Sequence, residues 1–181
     1  NGEDEGEGSP SQSPSPGDVS TGRPENTVDL NKGWSLQKGV DYSTAACAPG
    51  TEDAGIYTHP VQGFKFRKCN YQGKPVNALV SATVISMVEA AKAEGTTLTL
   101  GNSFRSYEEQ QAVYARNCRG GSCNPPTATP GASQHERGLA IDFNACSTRA
   151  TDCYKWLAKN AATYGYYNLE SEPWHWSMSG Y

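Results

Sequence analysis

Apolar side chains recur at helical spacing between Asn77 and Glu94. Leu79, Val80, Val84, Met87, Val88 and Ala91 share one stripe, and Gly95 follows. This pattern predicts a helix over 77–94. A second helix is expected over 106–117, where Ser106 and Glu109 have the spacing of a capping box. A third is expected over 151–164, closed by Gly165. Between these stretches the pattern changes to alternation. In 139–143, Leu139, Ile141 and Phe143 point to one face of a strand, and Ala140 and Asp142 to the other. Thr97–Leu100 and Trp174–Ser177 read as two more short strands. Residues 27–75 are rich in glycine, aromatics and turn formers, with little periodicity, and are expected to wrap the core. Residues 118–133, with two cysteines and three prolines, read as a loop. Helices and strands intersperse without a βαβ rhythm, which favours an α+β fold.

Composition adds a boundary. Residues 1–26 are glycine, serine, proline and acid, and almost nothing in them can be buried to offset ordering entropy. They are expected to be a disordered linker ahead of one domain, 27–181. The net charge of −4 owes most to this segment, which holds six acids and one arginine. The remainder is almost neutral and has no basic cluster, so no nucleic-acid partner is expected. No apolar run is long enough to cross a membrane. The opening NGEDEGEG has neither the basic nor the apolar region of a signal peptide, so any such leader is expected to have been removed.

The six cysteines are even in number and contain no CxxC pair, which argues against zinc ribbons and thioredoxin-like chemistry. Cys118 and Cys123 bracket a Gly-rich loop, Cys146 and Cys153 a second loop, and Cys47 and Cys69 remain. Other connectivities stay open. Three disulfides would imply an oxidising compartment, secreted or at the cell wall.

The chain has three histidines, and their neighbours carry the candidate chemistry. His135 stands in Ser133-Gln-His-Glu-Arg-Gly-Leu-Ala-Ile-Asp142, and His175 in Glu172-Pro-Trp-His. Imidazole and carboxylate suit zinc, and a catalytic site needs three such ligands with one position open. Gly138 lets the chain turn between His135 and Asp142. Residues three apart on a flat strand face opposite ways. Glu172 and His175 can therefore meet only if Glu172 lies in a turn and His175 on the strand after it. His175 would then share a face with Ser177, with Trp174 and Trp176 opposite. Glu136 and Arg137 read as a solvated face, and His59 as structural or incidental.

Ser-x-His-x-x-Gly-x-Ala-x-Asp followed by Glu-x-x-His resembles the signature of the VanY-type D-alanyl-D-alanine carboxypeptidases. These belong to the superfamily that includes lysostaphin-type peptidases and the Hedgehog signalling domain. Ser103-Phe-Arg-Ser-Tyr-Glu-Glu-Gln110 and Tyr164-Gly-Tyr166 are similar to two further family segments, and the likeness spans about residues 77–178. The resemblance implies a small antiparallel sheet flanked by helices, with 77–181 as the catalytic core and 27–76 wrapped around it. It implies one zinc ion on His135, Asp142 and His175, Glu172 as general base and acid, and Arg105 as stabiliser of the oxyanion. Ser133 and Gln110 match positions that bind the substrate's terminal residue, and Trp174 is expected beside them. The implied substrate is a peptidoglycan stem peptide ending in D-Ala-D-Ala, cut by a monomer. L,D-carboxypeptidase or stem-peptide endopeptidase activity is the alternative within the fold. A non-catalytic Hedgehog-like zinc module is the alternative of another class, and it predicts loss of Glu172 or Arg105; both are present.

Overall fold

In the computed structural model, residues 32–181 are described, and the expected linker 1–26 lies outside them. The segment expected only to wrap the core instead builds a sheet. Strands β1 (Asp41–Tyr42), β2 (Glu52–Thr58), β3 (Lys65–Tyr71) and β4 (Lys74–Asn77) pair around β3. β2 runs antiparallel along one edge of β3, while β1, parallel, and β4, antiparallel, share the other edge. Alternation is hard to see in β2 because its pairing slips between Asp53 and Ile56, and most of its residues are exposed. In β3 only Phe66 and Cys69 are fully buried.

Helix α1 (Ala78–Ala93) starts where β4 ends. The Asn77 side chain caps it by accepting from the Leu79 N–H at 3.0 Å. Its buried stripe includes Val80, Val84, Met87, Val88 and Ala91, as the periodicity predicts. Helix α2 (Tyr107–Asn117) begins with the expected capping box: Ser106 Oγ accepts from the Glu109 N–H at 3.2 Å, and Glu109 Oε2 from the Ser106 N–H at 2.7 Å. Helix α3 (Asp152–Asn160) is shorter than expected, because the chain tightens to a 3-10 turn over Ala161–Tyr164 before Gly165.

The second sheet is β5 (Ala140–Asp142), β7 (Glu172–Ser177) and β6 (Tyr167–Leu169), in that order and antiparallel throughout. The strand expected over 97–100 is reduced to one bridge, Leu100 to Phe143. The chain stays close beyond it: the Gly101 N–H donates to the Asp142 carbonyl at 2.7 Å. A side chain at Gly101 would crowd this contact, since a Cβ would stand 2.9 Å from the Asp142 carbonyl oxygen as well as 2.2 Å from Asn144 Oδ1. One contiguous core joins both sheets and the helices, with Phe66 and Cys69 from one sheet and Ile141 and Trp176 from the other. The fold is mixed, small sheets flanked by helices, as expected.

Cys47–Cys69, Cys118–Cys123 and Cys146–Cys153 are the three disulfides. Cys47–Cys69 closes a 22-residue separation and ties the chain before β2 to the buried face of β3. Replacing both cysteines by serine should lower stability by about 3 kcal/mol through loop entropy. Urea unfolding of the pair variant measures this, and a change near zero would mean that native strain cancels the gain.

Candidate active site

The groove is built where the two sheets and α2 meet. His135 opens a one-turn 3-10 helix, His135–Arg137, and its N–H donates to Ser133 Oγ at 3.2 Å. Gly138 follows with φ +64°, and a Cβ there would lie 3.0 Å from both the Asn77 nitrogen and the Phe66 ring. Glycine thus lets the chain reverse tightly enough to start β5, which carries Asp142. Asp142 lies directly opposite His175 in the β5–β7 ladder, so the two side chains project from one face.

Glu172 reaches that face through a register slip rather than by lying in the turn. Leu169 pairs with Glu172 and Asn168 with Trp176, so Pro173, Trp174 and His175 bulge out of the β6–β7 ladder. The bulge brings Glu172 Oε2 to 4.0 Å from His175 Nδ1. It also separates the tryptophans expected on one face: Trp176 is buried, while Trp174 lines the groove at 37% exposure.

Three donor atoms converge on the groove floor. Asp142 Oδ1 is 2.9 Å from His175 Nδ1 and 3.3 Å from His135 Nε2, and the two imidazole nitrogens are 3.2 Å apart. A tetrahedral ion with ligand bonds of about 2.0–2.1 Å has ligand–ligand edges of about 3.3 Å, close to these separations. The outer nitrogens set the tautomers. His135 Nδ1 donates to the Ser103 carbonyl at 2.6 Å, and His175 Nε2 to the Tyr181 main-chain oxygen at 3.0 Å. Each inner nitrogen therefore presents a lone pair to the same point as a carboxylate oxygen. Such a set fits a divalent cation, and these are the residues that could hold one. Burial alone would push the Asp142 carboxyl up. When a proton rather than a cation sits between these groups, the imidazolium that carries it outweighs burial, by hydrogen bond and by charge, and holds Asp142 well below the usual carboxylate range. Burial likewise opposes charge on His175, but Asp142 raises it overall. Asn102 Nδ2 donates to the other oxygen of Asp142 at 3.2 Å.

The groove encloses about 650 Å³. Arg105, Gln110, Ser133, Trp174 and Glu172 all line it with the donor set. Arg105 is fixed at both ends: its N–H donates to the His135 carbonyl at 3.1 Å, and its Nη1 to Gln110 Oε1 at 2.8 Å. Gln110 Nε2 donates in turn to the Ala128 carbonyl at 2.7 Å. Both ends of the Gln110 amide are thus engaged, and its place in the groove is behind Arg105.

One part of the expected surface lies in the interior. Glu136 is completely buried and bonded to His59, and Arg137 is packed over Phe64 with its Cζ 5.3 Å from the ring centroid. The polar appearance of His-Glu-Arg hides this, because the partner of Glu136 comes from a distant segment, while Arg137 turns back onto the carbonyls of Gly131 and Ser133. No local signal in the sequence pairs Glu136 with His59, 77 positions away.

Comparison with known proteins agrees with the fold. The family model described as VanY: D-alanyl-D-alanine carboxypeptidase matches residues 73–181. A D-alanyl-D-alanine carboxypeptidase of Enterococcus faecalis (strain ATCC 700802 / V583) is 25% identical over 133 residues, 60% of this chain and 50% of that protein. The YodJ protein of Bacillus subtilis (strain 168) is 27% identical over 175 residues, 84% of this chain and 59% of that one. The chain thus spans 50% and 59% of the length of these relatives. Among solved structures, VanYB in complex with D-Alanine-D-Alanine superposes with a TM-score of 0.51 at 21% identity, covering 76% of this chain and 84% of that one. The LdcB LD-carboxypeptidase does so with a TM-score of 0.52 at 24% identity, covering 73% and 72%. Both likenesses are of fold. With the family model covering more than half of its length, the chain belongs to the VanY D-alanyl-D-alanine carboxypeptidase family.

Proposed function

We propose that this chain is a secreted zinc D,D-carboxypeptidase that removes the terminal D-Ala from peptidoglycan stem peptides. The observation that carries the reading is the convergence of two imidazole lone pairs and a carboxylate oxygen on a groove floor that also holds Glu172 and Arg105. In this reading His135, Asp142 and His175 hold one zinc. When bound, zinc acidifies water and polarises the scissile carbonyl. Glu172 takes a proton from the water as its oxygen bonds to the carbonyl carbon, and returns it to the amine as the C–N bond breaks. The products are D-alanine and the shortened peptide. Arg105 is held from both ends, so its guanidinium is pre-positioned for the oxygen that gains charge. Ser133 and Trp174 receive the terminal residue, the hydroxyl toward its polar atoms and the indole against its methyl, and Gln110 takes part by holding Arg105. Three disulfides support an extracytoplasmic setting. Among the described residues no helix is long and apolar enough to cross a membrane.

Two measurements test the reading. Digested muropeptides analysed by mass should lose a single alanine from pentapeptide stems. Shortening of tetrapeptides instead, or release of a dipeptide, would replace the D,D assignment. Zinc supplied at about 100 times its Kd should stabilise the protein by about 2.7 kcal/mol through mass action. That gain is read as a rise in Tm that a chelator reverses, and a Tm indifferent to both would remove zinc from the site.

A further inference from the structure

Glu136 and His59 are fully buried and take no part in the chemistry above. His59 Nδ1 accepts from the Val61 N–H at 3.2 Å and the Gln62 N–H at 2.9 Å, so its ring proton sits on Nε2. That proton is donated to Glu136 Oε1 at 3.0 Å. The Glu136 carboxylate also accepts from the Gly131 N–H at 2.9 Å and the Ser133 N–H at 3.2 Å. Arg137 grips the same stretch from its other side: Nη1 donates to the Ser133 carbonyl at 2.9 Å and Nη2 to the Gly131 carbonyl at 3.1 Å. The backbone that presents Ser133 to the groove is therefore clamped at its N–H groups by an acid and at its carbonyls by a base. His59 also packs edge-on against Tyr107, with centroids 5.2 Å apart, and Tyr107 opens the helix behind the Arg105 wall. His59 lies ahead of residue 73, where the family match begins.

Burying a carboxylate is expensive, and a well-packed apolar pair is often as stable or more so. Stability alone does not account for this arrangement, whereas fixing the Ser133 backbone does. We propose that Glu136, tied to His59, is a positioning residue for substrate: it sets the wall around Ser133, and through His59 the first sheet shapes the groove. Only the assignment of substrate to that groove rests on the proposed function.

His59→Phe keeps a ring against Phe64 and Tyr107 but removes the donor, while His59→Gln keeps a donor. His59→Phe should raise KM for a pentapeptide stem by about tenfold, the size expected for one charge-assisted buried hydrogen bond, and leave kcat and zinc affinity near wild type. The Gly131 and Ser133 amides should exchange with solvent faster than in wild type, and His59→Gln should restore both readouts. An unchanged KM in folded His59→Phe, or a joint fall of kcat and zinc affinity, overturns the proposal. If His59→Phe does not fold, Arg137→Lys, which loosens the carbonyl side of the clamp, is judged by the same readouts. A wild-type chain inactive on every stem peptide would defeat the proposed function instead. Amide exchange at Gly131 and Ser133 would then decide the positioning role, and unchanged exchange would overturn it.

Discussion

Glu172→Gln should lower kcat on a D-Ala-D-Ala-terminated peptide by about 10²- to 10⁴-fold, the usual contribution of a positioned general base. Glutamine preserves the shape and removes the proton acceptor. The donor set is untouched, because Glu172 stands 4.0 Å from the nearest of its nitrogens. Zinc titration should therefore give near wild-type affinity while single-turnover hydrolysis collapses. A fall confined to KM would make Glu172 a binding group. Unchanged turnover would mean that another group moves the proton, and the proposed chemistry would fail with it.

Phe66→Ala should destabilise the protein by about 3–5 kcal/mol, a large share of the roughly 5–15 kcal/mol that holds most domains folded. Phe66 is fully buried and packs edge-on against Tyr57 and Phe104, with centroids 5.8 and 5.7 Å away. Its ring also fills the space directly under Gly138, the reversal between His135 and Asp142. The cavity would open beneath the groove, so zinc affinity should fall with stability. Urea unfolding in chelator gives the first quantity, and a zinc titration at low urea gives the second. A loss below about 1 kcal/mol would show that the first sheet packs loosely on the rest, as a mere wrapping segment would.

That sheet is the part of the fold that the sequence conceals. Helix α1 is legible because its apolar positions keep one period over several turns, and α2 because its capping box pairs side chains three residues apart. β2 and β3 offer no such period: β2 is mostly exposed and slips in register, and β3 buries only part of its length. The donor residues were legible as motifs, and the alternation of 139–143 indicated how Asp142 projects. Alternation set Trp174 on the face of Trp176, away from the groove it lines, because alternation counts residues and a bulge takes residues out of the ladder, whereas the family resemblance set it beside Ser133. Glu136 was misplaced for a different reason. A short polar run reads as surface unless its partners can be named, and His59 lies 77 positions away in the chain. Local pattern carries no trace of such a bond.

The bulge at 173–175 has a consequence for how this site can diverge. His175 hangs from β5, in register with Asp142, whereas Glu172 hangs from β6, opposite Leu169. The groups that the proposed function assigns to proton transfer and to metal thus belong to two separate suspensions on one strand. Changes in the hairpin tip at 170–171 can shift the first without disturbing the second. Under the proposed function, affinity for metal and rate of turnover become traits that selection can adjust one at a time, although only two residues separate Glu172 from His175.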